Sequence, residues 1–452
     1  MTMMTNDEEI YKERDPDTSE PVFYLLFASQ LIIVLMGMFM SVKTGLVTLP
    51  IVTVLGVIAL GRCSSRSTDW KRGRNLMAGL ILLWGLYCLF EIGNPNHVQE
   101  AWNIAITQYF FYPLLCAFLV PLTIRNYKGI EVLLLIWSVF VLIATLKGYW
   151  QKNHGFNGRE LYFLYVLGGY RTHIIWSGIR YFSCFSDAAN YGVHAAMAAT
   201  TFGLSTFFVR KKWMKIYFGV ITLCALYCIG ISGTRAAVGV PLGGILLYVL
   251  ISKNWKGLVF GAVSLVAIFS FFYFTNIGDS NQYVRKMRSA FRPSKDASYQ
   301  VRVENKNNMK ALMAVRPIGY GLGLSKGARF QPRELMHYPP DSWLVSVWVE
   351  TGIIGLVLYL LVHGVLFAWC SWLLMFKVMN KRLRGLLAAW LCMAAGFFVA
   401  AYVNDVMQYP NTIIVYTGLA LCIAGPYIDP VMQKEEEELK KKKKKTEQEE
   451  FY

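Results

Sequence analysis

Val132-Leu133-Leu134-Leu135-Ile136-Trp137-Ser138-Val139-Phe140-Val141-Leu142-Ile143-Ala144-Thr145-Leu146 is an uncharged run set between Glu131 and Lys147. With its flanks (129–149) it has the length a helix needs to cross about 30 Å of hydrocarbon, roughly 20 apolar residues. Runs of this kind recur on both sides of it, near 22–42, 45–61, 76–93, 104–123, 129–149, 191–209, 215–232, 236–252, 257–275, 344–370, 385–407 and 411–429. Composition agrees. Of 452 residues 55% are hydrophobic and 16% charged, where a soluble chain of this size carries about 25% charge. The chain reads as an all-α polytopic membrane protein of about twelve transmembrane helices. Its first run follows an acidic stretch and lacks a basic start and a small-residue cleavage site, so it reads as a true span rather than a signal peptide.

The loops alternate in charge. Arg62, Arg66, Lys71, Arg72 and Arg74 follow the second span, Arg125 and Lys128 the fourth, and Arg210, Lys211, Lys212 and Lys215 the sixth. Lys253 and Lys256 follow the eighth, and Lys377, Lys381, Arg382 and Arg384 the tenth. Short loops between them, such as 94–100 and 404–411, carry no Lys or Arg. Since positive charge gathers on the cytoplasmic side, both termini are expected there. The resulting division is a cytoplasmic tail (1–21), five spans (22–149), a periplasmic segment (150–190) and four spans (191–275). A large periplasmic loop (276–343), three spans (344–429) and a charged cytoplasmic tail (430–452) complete it. In that tail Glu436, Glu437 and Glu438 precede lysines by four residues, a spacing that supports a solvated helix. Its lysines suit an anionic leaflet. No repeat of the transporter kind is visible in the spans. Seven of the nine cysteines lie in spans and none forms a C-x-x-C or Cys/His cluster, which argues against a disulfide framework or a zinc site.

The loop 276–343 is the long polar insertion. It holds twelve Lys and Arg, from Arg285 to Arg333, a turn Gly319-Tyr320-Gly321-Leu322-Gly323, and a single histidine, His337, before Pro339-Pro340-Asp341-Ser342-Trp343. Long loops are exempt from the topology bias, so this basic charge suggests a phosphate-binding surface beside the membrane, where Arg offers a planar fork of donors. Arg235, in Ser232-Gly233-Thr234-Arg235, stands beside small residues that allow close approach of backbone. Ser298 opens an expected helix that carries Arg302 and runs to about Val315, and Arg180 begins the closing stretch, Arg180 to Asn190, of the segment 150–190. His337 is suited by residue type to proton transfer near neutrality. The Gly-rich turn is not a Walker A loop, since no Gly-Lys-Ser/Thr follows it.

The order of these pieces resembles the O-antigen ligase and polymerase superfamily. Ser232 to Arg235, Arg302, Pro317 to Gly323, His337, and Asp341-Ser342-Trp343-Leu344 running to Glu350-Thr351-Gly352 correspond to that family's motifs. The likeness covers about 190–370 in detail and the rest by topology. It implies an inverting, metal-independent glycosyltransferase with no cofactor, which moves a glycan from undecaprenyl pyrophosphate to an acceptor hydroxyl on the periplasmic side of the bacterial inner membrane. By the same resemblance Arg180, Arg235 and Arg302 bind the pyrophosphate and stabilise leaving-group charge, His337 is the base, and Asp341 belongs to the substrate site. The family often has histidine directly before the last motif, where this chain has Pro340. Either His337 replaces it from four residues upstream or Asp341 shares the work. The leading expectation is an O-antigen ligase with a lipid A–core acceptor, working among membrane lipids and not on nucleic acid. A polymerase or protein O-oligosaccharyltransferase would share the donor chemistry. A lipid-glycan transporter or flippase would call for charged pairs in several spans, whereas the embedded charges are chiefly Glu91, Glu350 and Asp405.

Overall fold

The computed structural model describes residues 19–37, 44–64, 69–175, 178–252, 255–280, 284, 285, 288, 291, 297–325 and 329–449. In chain order the helices are α1 (Ser19–Met36), α2 (Thr44–Ser64), α3 (Leu76–Phe90) and α4 (Gln99–Ile106), which continues through a π-helical stretch, Thr107–Phe111, into α5 (Tyr112–Thr123). Then come α6 (Tyr127–His154), α7 (Gly158–Tyr165), α8 (Tyr170–His173), α9 (Ala188–Ser205), α10 (Lys212–Ser232), α11 (Gly239–Ile251) and α12 (Trp255–Phe274). The chain closes with α13 (Ala297–Ala314), α14 (Arg333–His337), α15 (Trp343–Phe376), α16 (Lys381–Val403) and α17 (Asn411–Glu449). A short antiparallel pair, β1 (Ile174–Ile175) and β2 (Gly178–Ile179), pairs Ile174 with Ile179 and Ile175 with Gly178.

The expected apolar segments overlap these helices, the one at 104–123 running across α4, the π-helical stretch and α5, while residues 38–42 of the first lie outside the described residues. Seven are long and apolar enough to cross a membrane: Leu76–Gly93, Gln99–Thr123, Tyr127–His154, Lys212–Ser232, Trp343–Phe376, Lys381–Val403 and Asn411–Glu438. Glu20–Met36, Pro50–Cys63, Arg235–Ile251 and Gly261–Phe274 are shorter apolar helices, and α9 belongs to neither group. Rich in Ala, Gly and Thr, α9 lies buried against α10 and α16, as small residues allow.

Several boundaries differ from the hydropathy reading. Helix α6 runs on to His154, so the segment expected at 150–190 begins inside a helix. The charged tail expected from 430 continues the last apolar helix without a break, with Pro426 and Pro430 inside it. Hydropathy marks the apolar stretch, whereas polar caps mark helix ends. Asn126 caps α6 by accepting from the Gly129 amide at 2.7 Å. Asp187 caps α9 through the amides of Ala189 and Asn190 at 2.7 and 2.8 Å, and Ser342 caps α15 through Val345 at 3.2 Å.

The basic short loops gather at one end of the bundle. Arg72 lies over the ring of Tyr427 at 5.1 Å, and Arg210 lies over that of Tyr127 at 4.8 Å while pairing with Glu435 at 3.4 Å. Asp429 accepts from the amides of Met379 and Asn380 at 3.2 and 2.8 Å. These contacts join the loops after α2, α5, α9 and α15 to one another and to the last helix. Arg66 and Lys253 lie outside the described residues. The opposite end carries the hairpin, α13, α14 and the starts of α9, α15 and α17.

Candidate active site

The Gly-rich turn docks on a break in α15. Gly352 is non-helical there (φ 68°, ψ −171°), which frees the carbonyls of the preceding turn. Tyr320 and Gly321 donate their amides to Val349 O (2.8 Å) and Glu350 O (3.0 Å). A Cβ on Gly319 would stand 2.5 Å from Glu350 O, and one on Gly352 would stand 1.9 Å from Pro317 O. The motif is therefore a backbone-to-backbone clasp, and those two amides serve the helix rather than a ligand. Glu350, fully buried, accepts from the amide and hydroxyl of Ser325 on the same clasp, in keeping with a packing role.

Helix α13 lies across the ends of α15 and α16 on a face one turn apart in register. Met309 and Met313 are buried with Tyr320, Leu335 and Val349. On the same side, Arg302 Nη1 donates to Val403 O at 3.2 Å, and Asn305 Nδ2 to Asp341 Oδ2 at 3.4 Å. Val403 is the last residue of α16, where carbonyls lack helical partners and favour a cation. Trp343 N donates to Asn404 O at 3.2 Å, fixing the start of α15 beside that helix end.

Three of the expected site arginines meet here. Arg180, just after β2, donates from Nε to Ser232 O (3.3 Å), from Nη1 to Thr172 O (3.1 Å) and from Nη2 to Thr234 Oγ1 (3.0 Å). Thr234 Oγ1 in turn donates to Ala188 O at 2.7 Å. This locks Arg180 to the Ser232–Arg235 motif and to the head of α9. Burial lowers the pKa of the Arg180 guanidinium; Asp187 opposes the shift, and the like charges of Arg235 and Arg302 add to it. Burial also lowers that of Arg302, against the pull of Asp341. Three half-buried guanidiniums thus lie within electrostatic reach of each other, with Asp187 and Asp341 as the carboxylates on their two flanks. Positive charge gathered in a partly dehydrated setting can receive an anion.

Asp187 is held from the membrane side by a buried polar chain. Trp137 Nε1 donates to His194 Nε2 at 3.0 Å, so the proton of neutral His194 sits on Nδ1 and points to Asn411 Oδ1 at 2.9 Å. Asn411 Nδ2 reaches Asn190 Oδ1 at 3.3 Å, and Asn190 Nδ2 donates to Asp187 Oδ2 at 2.6 Å. Beside it, buried His173 accepts the Ala188 amide on Nε2 at 3.1 Å and lies 2.9 Å from Gly169 O through Nδ1. Burial lowers the pKa of His173, which suits a neutral structural ring. Asn190, His173 and Asn411 were not among the expected site residues. Asp187 had a local sign as a helix cap. Asn411 had none, because its partners lie 217 and 221 residues away.

The remaining loop charge divides. Arg288 is buried against Asp279 and the ring of Phe271. Arg316 stacks over Tyr320 at 4.1 Å and pairs with Glu334 at 3.2 Å, and Arg329 pairs with Glu100 at 2.9 Å. These three hold the loop together instead of lining the cluster. Lys286, Arg292, Lys295 and Lys326 lie outside the described residues. His337 ends α14 with its side chain exposed, its ring 6.5 Å from that of Tyr338. Among the described residues no hydrogen bond or ion pair joins it to the arginines. Asp341 is the residue joined to them: burial raises the pKa of its carboxyl, while Arg302 and the bond from Asn305 lower it.

Fold and cluster together define a polytopic helical membrane protein with three arginines gathered at one end of its bundle. Residues 220–360 of the chain match the family described as O-antigen ligase, which identifies this segment as an O-antigen ligase superfamily domain and supports a glycosyl-transfer enzyme of the ligase or polymerase type. The matched stretch holds Arg235, Arg302, the clasp, His337 and Asp341. No curated protein matches the chain.

Proposed function

We propose that this protein is an O-antigen ligase. It transfers a polymerised glycan from undecaprenyl pyrophosphate to a hydroxyl of a lipid A–core acceptor, by inverting displacement at the periplasmic face of the inner membrane. The observation that carries this reading is the convergence of Arg180, Arg235 and Arg302 from three separate elements onto one anion-receptive spot. Arg235 and Arg302 bind the pyrophosphate and take up charge as the C1–O bond breaks. Arg180 has three of its guanidinium donors engaged by the protein, so it assists as a fixed charge with fewer donors for the ligand. The acceptor proton goes to a base on the stretch 337–341. His337 is the assignment made from sequence, and the hydrogen bond from Asn305 to Asp341, with the electrostatic pull of Arg302 on it, favours the carboxylate as the competing one.

A gel of lipopolysaccharide from a deletion strain tests the activity. Free core with accumulated lipid-linked polymer is the expected result. Core bearing a single repeat unit would mean a polymerase, and an unchanged ladder would overturn both.

A further inference from the structure

At the end of the bundle opposite the arginine cluster, a cavity of about 370 Å³ opens between α9, α11, α15 and α16. Lys381 and Arg384 line it from the first turn of α16, with Tyr248 and Ser252 from the end of α11 and an apolar floor that includes Phe208 and Leu374. Helix α16 begins at Lys381 and ends at Val403, the carbonyl that Arg302 grips, so the cavity and the candidate active site are separated by the whole helix.

Some of the basic residues of this end are matched within the chain. Arg72 stacks on Tyr427, Arg125 Nε donates to Leu122 O at 3.1 Å, Arg210 pairs with Glu435, and Lys377 lies over Trp372 at 5.4 Å. Lys381 and Arg384 differ: among the described residues neither is paired with an acidic side chain, and both face the same hollow. Two cations lining one cavity repel each other unless an anion joins them. The rim tells which anion. Leu250 and Phe207, the chain neighbours of the lining residues Ile251 and Phe208, are 67% and 70% exposed, and such surface faces hydrocarbon in a membrane protein. A ligand that fits both features has a phosphate for the cations and hydrocarbon for the rim.

We infer that this cavity is a binding site for the headgroup phosphate of an acidic glycerophospholipid. Basic pockets between helices at a membrane surface bind such headgroups through the same chemistry. Arg384 and Lys381 hold the phosphate oxygens, the hydroxyls of Tyr248 and Ser252 face the glycerol side, and the acyl chains leave over Leu250 and Phe207.

The test uses the full chain in phosphatidylcholine micelles, titrated with phosphatidylglycerol and followed by native mass spectrometry. The wild type should retain phosphatidylglycerol in preference to phosphatidylethanolamine. At roughly one surface contact's worth per basic residue, the double variant Lys381→Gln/Arg384→Gln should bind it about thirtyfold more weakly. A control, Lys71→Gln/Lys128→Gln, removes two exposed cations of the same end that do not line the cavity and should bind as the wild type does. Equal loss in both double variants would reduce the effect to general surface charge and overturn the site, as would equal retention of phosphatidylethanolamine. Displacement by millimolar inorganic phosphate would make it a soluble-anion pocket and overturn the lipid assignment. If the double variant melts early in phosphatidylcholine alone, the single change at exposed Lys381 must still weaken binding for the inference to stand.

Discussion

Arg302 is the residue through which the site is assembled, because it touches Val403 O, faces Asp341 and acts electrostatically on Arg180. Composition alone gives no reason to prefer it to the eleven other basic residues of the loop; the family resemblance singles it out, and its position on the inner face of α13 sets it apart. Lysine there keeps the charge but loses the fork that can serve a helix end and a phosphate together. Arg302→Lys should lower turnover about a hundredfold, the size of effect seen when a positioned donor is removed from a developing charge, with membrane insertion unchanged. Near-normal turnover would return Arg302 to the class of surface charge. The base is decided by pH. A base works deprotonated, so turnover falls as pH drops through its pKa, whichever residue it is. If Asp341 is that base, the acid limb lies above the ordinary carboxyl range of about 4, because burial raises it. Asp341→Asn would then abolish the limb together with roughly 10²- to 10⁴-fold of the rate, and His337→Ala would leave both in place. The opposite pattern assigns the proton to His337.

Among the elements, α15 and the clasp on it decide how the loop is held. Gly352→Ala forces a side chain into a left-handed backbone and against Pro317 O. The expected cost is about 3 kcal/mol or more, read as a lower melting temperature in detergent and loss of activity together. Melting like the wild type would mean the break in α15 relaxes easily. The buried chain between α6, α9 and α17 makes a second demand. Asn411→Leu strands the Nδ1 proton of His194 and the Oδ1 of Asn190, at about 1–3 kcal/mol for each unsatisfied group, and it should lower the melting temperature while the arginines themselves stay intact. These two devices mark where sequence reading stops. Apolar runs show that α15 and α9 exist, since burial in lipid depends on composition along the run. They do not show that α15 breaks at Gly352, because Thr351-Gly352 inside an apolar stretch looks like any tolerated glycine. The Gly-rich turn was visible as a motif but its partner, the broken helix, was not.

For the whole molecule, the readable quantity was charge summed by loop. The alternation predicted which loops share an end, and the contacts of Arg72, Arg210 and Asp429 bring four of those loops together. What could not be read was the division of labour within the basic loop, since Arg288, Arg316 and Arg329 carry the same charge as Arg302 and are paired inside the protein. The grouping of loops fixes two ends without saying which faces the cytoplasm. The positive-inside rule supplies an expected direction: short loops rich in Lys and Arg stay on the cytoplasmic side, so α13 and the arginine cluster are predicted to lie outside. Ser294, a natural place for a probe in the long loop, lies outside the described residues, so Glu304, exposed on α13, serves instead, with Lys212, exposed at the start of α10, as its counterpart. Seven native cysteines are buried, and Cys184 and Cys224, the partly accessible ones, are replaced beforehand by serine. A membrane-impermeant maleimide added to intact spheroplasts should label Glu304→Cys at once and Lys212→Cys only after lysis. Labelling of Lys212→Cys in intact cells, with Glu304→Cys protected until rupture, would invert the topology. It would also remove the proposed transfer, because the acceptor and the polymerised donor would then be on the wrong side of the membrane from the arginines.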